Sequence, residues 1–209
     1  MPKTEPFEKH ISEYEKWFED NAFAYESEIM AIKQIFPKSA NGIEIGVGSG
    51  RFSLPLGIKK GIDPSAKMTE IAIHRGIEVT NGVAEDLPYK DSQFDFALMV
   101  TTVCFLDDIK KAFSEAYRVL KPDGAFVIGF IDKESPIGKL YEKYKEGSVF
   151  YRSAVFYTTG ELVSYLKEAG FKNFQFTQTI FRDLNDLKAI EEVREGYGEG
   201  SFVVIKSIK

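Results

Sequence analysis

The sequence predicts an α/β three-layer fold around a parallel sheet. Five short apolar runs predict strands, at residues 42–46, 58–63, 77–82, 94–100 and 125–130. Helical segments separate most of these runs, and strands that alternate with helices form parallel sheets with right-handed crossovers. Ligands of such sheets lie beyond the carboxyl ends of the strands. We therefore expect a functional site in the loops that follow the strands.

Two N-terminal helices are predicted before the first strand. Apolar residues recur every three or four positions over 11–18 and again over 25–36, which is the period of an amphipathic helix. Pro37 ends the second helix, because the residue before a proline disfavours helical backbone. These helices are expected to form a cap, residues 1–37.

The later helices carry local signals. Ser65 is predicted to cap the helix after the second strand, and one apolar stripe over 109–120 predicts a helix before the fifth strand. Thr158 and Glu161 have the spacing of a capping box. Residues 132–157 have no clean period. Because long connections of this kind often form lids, we expect a lid here.

Composition argues against several classes of function. The net charge of −5 at pH 7 disfavours capture of nucleic acid, which requires a basic surface. No apolar run reaches the ~20 residues that span a bilayer, and no signal-peptide core begins the chain, so we expect a cytoplasmic protein without membrane association. The single cysteine, Cys104, agrees with a reducing compartment. No metal is expected, since no cluster has ligand spacing. The oligomeric state stays open.

Three glycines at alternate positions, Gly46, Gly48 and Gly50, follow the first strand. Glycine there permits positive φ and lets a ligand approach the backbone. Dinucleotide-binding loops have the pattern G-x-G-x-x-G, but Arg51 occupies the third glycine position here, and a G-x-x-x-x-G-K-[ST] phosphate loop is also missing from the sequence. The turn is therefore predicted to hold a nucleoside without a pyrophosphate. A tight turn with no ligand is the alternative.

Four segments resemble motifs of the class I S-adenosylmethionine-dependent methyltransferases. They are GIEIGVGSGR (42–51), GIDPSAKM (61–68), GVAEDLPYKDSQFDFALM (82–99) and EAYRVLKPDGAFVIGF (115–130), in that family's order and near its spacing. Within the family, the sequence is most similar to small-molecule enzymes of ubiquinone and menaquinone biosynthesis. The resemblance implies a Rossmann-like three-layer sandwich. Its mostly parallel seven-stranded sheet would have an antiparallel C-terminal strand, with N-terminal helices as a lid.

One domain in four parts is expected over residues 1–209. The length of 209 residues is below the roughly 250 at which chains usually divide. After the N-terminal cap, residues 42–130 would form the cofactor-binding core and 132–157 a lid on the substrate side. Residues 158–209 would add a C-terminal helix and strands.

The resemblance implies S-adenosyl-L-methionine as the cofactor. Asp63 would accept hydrogen bonds from both ribose hydroxyls; the alternative is an aspartate that favours the start of the next helix. Glu44 would help to hold the methionine ammonium, and a buried glutamate on an apolar strand is costly without a partner. Gly46, Gly48 and Gly50 would form the turn around the cofactor.

Other positions at the same sheet edge complete the implied cofactor site. Ala84 and Glu85 match the family segment that lines the adenine, and Pro64 and Thr101 follow the second and fourth strands. Arg51 has two interpretations: a pair with the methionine carboxylate, or a solvated arginine at the start of a helix.

Two departures from the family pattern affect this site. Val83 stands where the family often has an aspartate for the adenine amino group, so Glu85 or backbone carbonyls would have to serve instead. The stretch between Gly50 and Ile62 is short and contains Pro55. This predicts a short first helix with the glycine turn retained.

No catalytic group is predicted. Methyl transfer needs alignment of the acceptor and exclusion of water, and a general base only where the acceptor must lose a proton. The candidate acceptor contacts are Tyr14 and Tyr25 in the N-terminal helices, Thr102 after the fourth strand, and Tyr151 in the predicted lid. Core packing explains these tyrosines equally well, and helix capping explains the threonine.

The expected function is methyl transfer from S-adenosylmethionine to a small-molecule acceptor by in-line displacement. One alternative is a non-catalytic S-adenosylmethionine-binding protein, which the short first helix and Val83 leave open. The other is an NAD-dependent oxidoreductase, against which Arg51 argues at the position of the third glycine.

Overall fold

The computed structural model describes residues 3–39 and 41–209. Over these residues the chain forms one sheet of eight strands, flanked by helices. The strands are β1 (Gly42–Ile45), β2 (Lys60–Asp63), β3 (Glu78–Asn81), β4 (Phe94–Val100), β5 (Leu120–Ile131), β6 (Lys172–Thr179), β7 (Arg194–Glu195) and β8 (Phe202–Ile208). Residues 1 and 2 of the predicted cap lie outside the described residues.

The sheet confirms the predicted α/β fold and corrects its strand number. The strand order is β3-β2-β1-β4-β5-β8-β6-β7. Strands β1 to β5 are parallel, whereas β8 is antiparallel to both β5 and β6. The short β7 adds an eighth strand to the seven predicted, because it pairs with β6 at the edge of the sheet. The order reverses between β1 and β4, and such a switch point opens a crevice at the carboxyl edge.

The helices follow local sequence signals. They are α1 (Glu5–Lys9), α2 (Ile11–Asp20), α3 (Ala22–Ile35), α4 (Ser53–Leu56), α5 (Ala66–His74), α6 (Ile109–Val119), α7 (Pro136–Tyr144) and α8 (Thr159–Glu168). The Ser65 hydroxyl accepts a hydrogen bond from the Met68 N–H, and Thr158 and Glu161 form the predicted capping box. The short α4 is confirmed. Neither α1 nor α7 was predicted as a separate helix.

Apolar cores lie on both faces of the sheet. Strand β4 contributes to both because successive side chains of a strand point to opposite faces. Leu98 and Val100 join the core that contains α3, and Met99 joins the core that contains α6 and α8. The predicted stripe of α6 is buried, including Phe113 with 0% exposure.

The K-P-D-G segment (121–124), which precedes the predicted fifth strand, lies at a bulge within β5. Leu120 pairs with Phe94, but the next pair joins Ala125 to Phe96. Between these pairs Asp123 has a φ of 61°. Pairing of β5 with β4 therefore begins before this segment rather than after it.

The N-terminal helices contact the carboxyl edge of the sheet at several places. On α1, Glu8 accepts a hydrogen bond from the Ser65 hydroxyl at 2.6 Å, and the Phe7 ring meets Phe105 edge to face at 5.1 Å. Ser65 follows β2 and Phe105 follows β4. Helix α1 therefore bridges the loops that leave these two strands.

Candidate functional site

A cavity of about 500 Å³ lies at the carboxyl edge of the sheet, between the strand ends and helices α1 to α3. Most of the predicted site residues line it: Gly46, Gly48, Asp63, Pro64, Ala84, Glu85 and Thr101 from the cofactor set, and Tyr14, Thr102 and Tyr151 from the acceptor set. The predicted residues that do not line it are Glu44, Gly50, Arg51 and Tyr25. The loops after β1, β2, β3 and β4 thus converge on one space, as expected for a parallel sheet.

The glycine turn after β1 has left-handed backbone at all three glycines, with φ of 76°, 51° and 83° at Gly46, Gly48 and Gly50. A Cβ on Gly48 would lie 3.4 Å from the Tyr14 hydroxyl, whereas a Cβ on Gly50 would lie 2.3 Å from the Ile77 Cδ1 atom. Gly46 and Gly48 both line the cavity, although a Cβ on Gly46 would lie 2.4 Å from the Thr102 side chain. Gly50 is needed instead for close packing beneath the turn.

Asp63 is fixed by two backbone hydrogen bonds. Its Oδ2 atom accepts from the Gly48 N–H at 2.8 Å, and its Oδ1 atom accepts from the Ser65 N–H at 2.9 Å. Burial raises the pKa of Asp63, and the two backbone bonds oppose that rise. A carboxylate has about four acceptor positions, so each oxygen can accept one further hydrogen bond from a ligand in the cavity.

Glu44 is buried below the turn, with 1% exposure, and accepts a hydrogen bond from the Ser53 hydroxyl of α4. Burial raises the pKa of Glu44 to about 8. Burial therefore favours the neutral form of this carboxyl group. Its partner in this structure is Ser53, and it is separated from the cavity surface.

Arg51 forms an ion pair that neither sequence interpretation included. Its Nε atom donates to Glu15 Oε2 of α2 at 2.9 Å, and Arg75 at the end of α5 donates to the same carboxylate. Burial acts to raise the pKa of Glu15, but the hydrogen bonds from Arg75 and Arg51 hold it below its usual value. Tyr25 donates to the Arg51 carbonyl oxygen. These residues join the N-terminal helices to the glycine turn.

The loop after β3 lines the same cavity with Val83, Ala84 and Glu85. The Glu85 Oε1 atom accepts hydrogen bonds from the backbone N–H groups of Asp107 and Asp108, at 2.9 and 3.2 Å. Glu85 thereby ties the β3 loop to the segment that begins α6. One of its carboxylate oxygens is thus used within the fold.

Two β-branched residues of the cavity wall, Thr101 and Ile180, have φ of 49° and 63°. Left-handed backbone is unfavourable for β-branched residues, and such strain is concentrated at functional sites. The neighbouring Thr102 hydroxyl donates to the Val100 carbonyl oxygen at 2.9 Å. The Thr102 hydroxyl therefore bonds back to the end of β4, and the residue also lines the cavity.

Aromatic side chains form the part of the cavity under the N-terminal helices. The Phe7 ring packs edge to face on Tyr14, with centroids 5.9 Å apart, and lies 5.6 Å from the Phe150 ring. Tyr151 stacks on Tyr141, with centroids 4.9 Å apart. Burial raises the pKa values of Tyr14 and Tyr151 well above the usual range, so both hydroxyls remain protonated. This part of the cavity is mostly uncharged and shaped by rings.

Sequence reasoning missed Glu28, which lines the cavity from α3 and is 3% exposed. Burial raises the pKa of Glu28 to about 8. A signal for it exists in the sequence: Glu28 has helical i, i+4 spacing to the buried residues Ala24 and Ile32. A carboxylate within an apolar stripe is rare unless it has a function or a partner.

The described residues, 3–39 and 41–209, contain no group of three His, Cys, Asp or Glu side chains that could hold a metal ion. In the same ranges, no helix has the length and apolarity to cross a bilayer.

A family model described as a methyltransferase domain matches residues 43–128. The crystal structure of an S-adenosylmethionine-dependent methyltransferase of Thermotoga maritima, described as a "possible histamine N-methyltransferase", is similar with a TM-score of 0.96 and 52% identity. That match covers 99% of each chain.

Two relatives by sequence extend the comparison. An uncharacterised protein of Methanocaldococcus jannaschii is 49% identical over 203 residues, covering 97% of this chain and 98% of the relative. A ubiquinone/menaquinone biosynthesis C-methyltransferase of Rickettsia bellii is 30% identical over 196 residues, covering 84% of this chain and 78% of the relative. The similarity therefore extends beyond the segment matched by the family model.

Proposed function

Since this chain belongs to the class I S-adenosylmethionine-dependent methyltransferases, we propose that it methylates a small molecule held in the cavity between the strand ends and helices α1 to α3. The chain is an enzyme whose cofactor is S-adenosylmethionine. Membership of this family favours methyl transfer over the two alternatives, a non-catalytic binding protein and an NAD-dependent oxidoreductase. The acceptor and the residues that hold each ligand are the proposal.

One observation supports a small acceptor above the others: the glycine turn, Asp63 and the aromatic wall line a single cavity of about 500 Å³. Small-molecule sites have volumes of about 300–1,000 Å³. The cofactor would occupy part of this space, which leaves room for a small acceptor beside it. The net charge of −5 also disfavours a nucleic-acid acceptor.

The residues of the cavity fit the cofactor. Gly46 and Gly48 line the cavity without side chains, and Asp63 has an acceptor position left on each oxygen for a ribose hydroxyl. We assign the adenine to the wall formed by Ala84 and Glu85. We assign Arg51 to the fold rather than to the methionine carboxylate, because it pairs with Glu15.

The bound cofactor supplies a methyl group already activated on a sulfonium sulfur. The protein's own task is then to align the acceptor and to exclude water. We propose that α1 and α2 do this as a cover, with Phe7 and Tyr14 closing the cavity from the N-terminal side and Tyr151 closing it from the 132–157 segment. In-line displacement by the acceptor needs no metal, and a base only where the nucleophile carries a proton.

The test is a two-part measurement on the full chain. Calorimetry with S-adenosylhomocysteine and with NAD checks the nucleoside site, and release of S-adenosylhomocysteine is then followed with amines, phenols and quinol precursors. Histamine belongs in the amine set because of the description of the Thermotoga maritima protein. We expect binding of S-adenosylhomocysteine, no binding of NAD, and turnover with a small acceptor. Turnover only with protein or nucleic-acid acceptors would overturn the proposal.

A further inference from the structure

Glu28 lies in the wall of the cavity. It is 3% exposed on α3. Among residues 3–39 and 41–209, no group makes a hydrogen bond or ion pair with its carboxyl. A buried carboxyl group is costly unless it is paired or hydrogen-bonded. Because Glu28 faces the cavity, a ligand in the cavity is the available partner.

Four other carboxylates of the cavity wall differ from Glu28 in having partners. Glu13 accepts from or pairs with the His10 imidazole at 2.6 Å. Asp63 and Glu85 accept backbone hydrogen bonds in the loops after β2 and β3. Asp108 caps α6. These four carboxylates thus have roles within the fold that Glu28 lacks.

Aromatic rings surround the space that Glu28 faces. Tyr141 and Tyr151 line the same cavity and are close enough for the charge of Glu28 to raise the pKa of each, although burial is the larger cause. Trp17 and Phe18 contribute further rings. Aromatic faces attract cations and pack on other rings. A carboxylate beside such faces suits a ligand with a protonated nitrogen and an apolar or aromatic body.

We propose, resting on the methyl transfer proposed above, that Glu28 binds the amino group of the acceptor and that the acceptor is a small arylalkylamine. The ammonium group would pair with the Glu28 carboxylate and transfer one proton to it, leaving a neutral amine with its lone pair. That lone pair forms the new N–C bond to the methyl group, while the electron pair of the C–S bond goes to sulfur. The product is a methylammonium ion, and Glu28 releases the proton to solvent.

The experiment compares Glu28→Gln with wild type and with Glu26→Gln, which changes an exposed glutamate of the same helix. Calorimetry first measures the affinity of each protein for S-adenosylhomocysteine. It then measures 2-phenylethylamine, histamine and the neutral analogue 2-phenylethanol on protein saturated with S-adenosylhomocysteine. Thermal melting checks that each variant is folded. Glutamine keeps the shape of Glu28 and removes its charge, so the variant should melt at or above the wild-type temperature.

We expect Glu28→Gln to weaken binding of at least one amine by about tenfold or more, while S-adenosylhomocysteine and 2-phenylethanol bind as in wild type. Glu26→Gln should bind all ligands as wild type does. Equal amine affinity in Glu28→Gln and wild type would overturn the inference, as would wild-type protein that binds neither amine. Failure to bind S-adenosylhomocysteine would instead overturn the proposed function, so the two failures are distinguishable.

Discussion

Replacement of Asp63 by asparagine tests the cofactor site most directly. The wild-type carboxylate accepts the Gly48 and Ser65 N–H groups on different oxygens, which leaves one acceptor position on each oxygen for the ribose. Asparagine has one carbonyl oxygen and an NH₂ donor. The asparagine carbonyl oxygen can therefore keep one hydrogen bond from the backbone and one from the ribose. The NH₂ group, placed where the second carboxylate oxygen was, cannot accept the second backbone N–H or the second ribose hydroxyl.

The expected loss of affinity for the cofactor corresponds to one charge-assisted hydrogen bond to the ribose. Such bonds contribute about 1.5–3 kcal/mol, and each 1.4 kcal/mol or so is a factor of ten in affinity. Asp63→Asn should therefore bind S-adenosylhomocysteine roughly tenfold to a hundredfold more weakly than wild type. The lost backbone bond should also lower the free energy of unfolding by about 1–3 kcal/mol.

Calorimetric titration measures the affinity, and urea unfolding measures stability separately. Glu70→Gln is the matched control, because Glu70 is an exposed carboxylate of α5 and its removal should change neither quantity. Affinity of Asp63→Asn within about twofold of wild type would refute the assignment of Asp63 to the ribose. A loss of stability without a loss of affinity would restrict Asp63 to a structural role.

Three further predictions concern strain, packing and pH. Gly50→Ala should lower the free energy of unfolding by about 1–3 kcal/mol, because its Cβ would lie 2.3 Å from the Ile77 Cδ1 atom. Gly57→Ala, also at positive φ but with no atom within 4 Å, should cost less in the same urea titration, and equal costs would contradict the packing argument. Thr101→Gly should raise the free energy of unfolding by up to about 1 kcal/mol, since glycine relieves the left-handed backbone; a fall of that size would contradict it. Burial raises the pKa of Glu28 from 4.5 to about 8, so the unfolded chain loses this proton first as pH rises, and the contribution of Glu28 to stability falls between these two values. The melting temperature of Glu28→Gln relative to wild type should therefore increase from pH 5 to pH 8 or so, and a constant difference would show that Glu28 ionises normally.

Most of the fold could be predicted because its signals are local. Short-range signals predict three of the helices. Ser65 and Thr158 are the capping residues of α5 and α8, and an apolar stripe marks α6. Helix α7 was missed although Ser135 caps it and Pro136 opens it, because it buries only Ile137 and Gly138 and so lacks an apolar stripe. Strand β7 has two residues, and its pairing with β6 depends on the rest of the sheet rather than on its own sequence.

The candidate site also has residues whose place the sequence predicts and residues whose place it does not. Asp63 and Gly48 follow strands directly, so the topology alone brings them to the cavity. Arg51 forms an ion pair with Glu15, which lies in a helix distant in sequence. No sequence pattern near Arg51 predicts that ion pair. Whether Glu28 lines the cavity depends on which face of α3 is turned toward it. Its place within an apolar stripe is a signal that sequence reasoning could have used.

The carboxylate of Glu15 joins three segments of the chain: α2, the turn before α4 and the residue that follows α5. Deleting the first twenty or so residues would remove this anion and leave Arg51 and Arg75 facing each other beside the glycine turn. Like charges at close range repel, and this repulsion would act on the glycine turn. A shortened chain would therefore differ from the intact protein at its nucleoside pocket as well as at its cover, which makes the intact N-terminus a requirement for any measurement of ligand affinity.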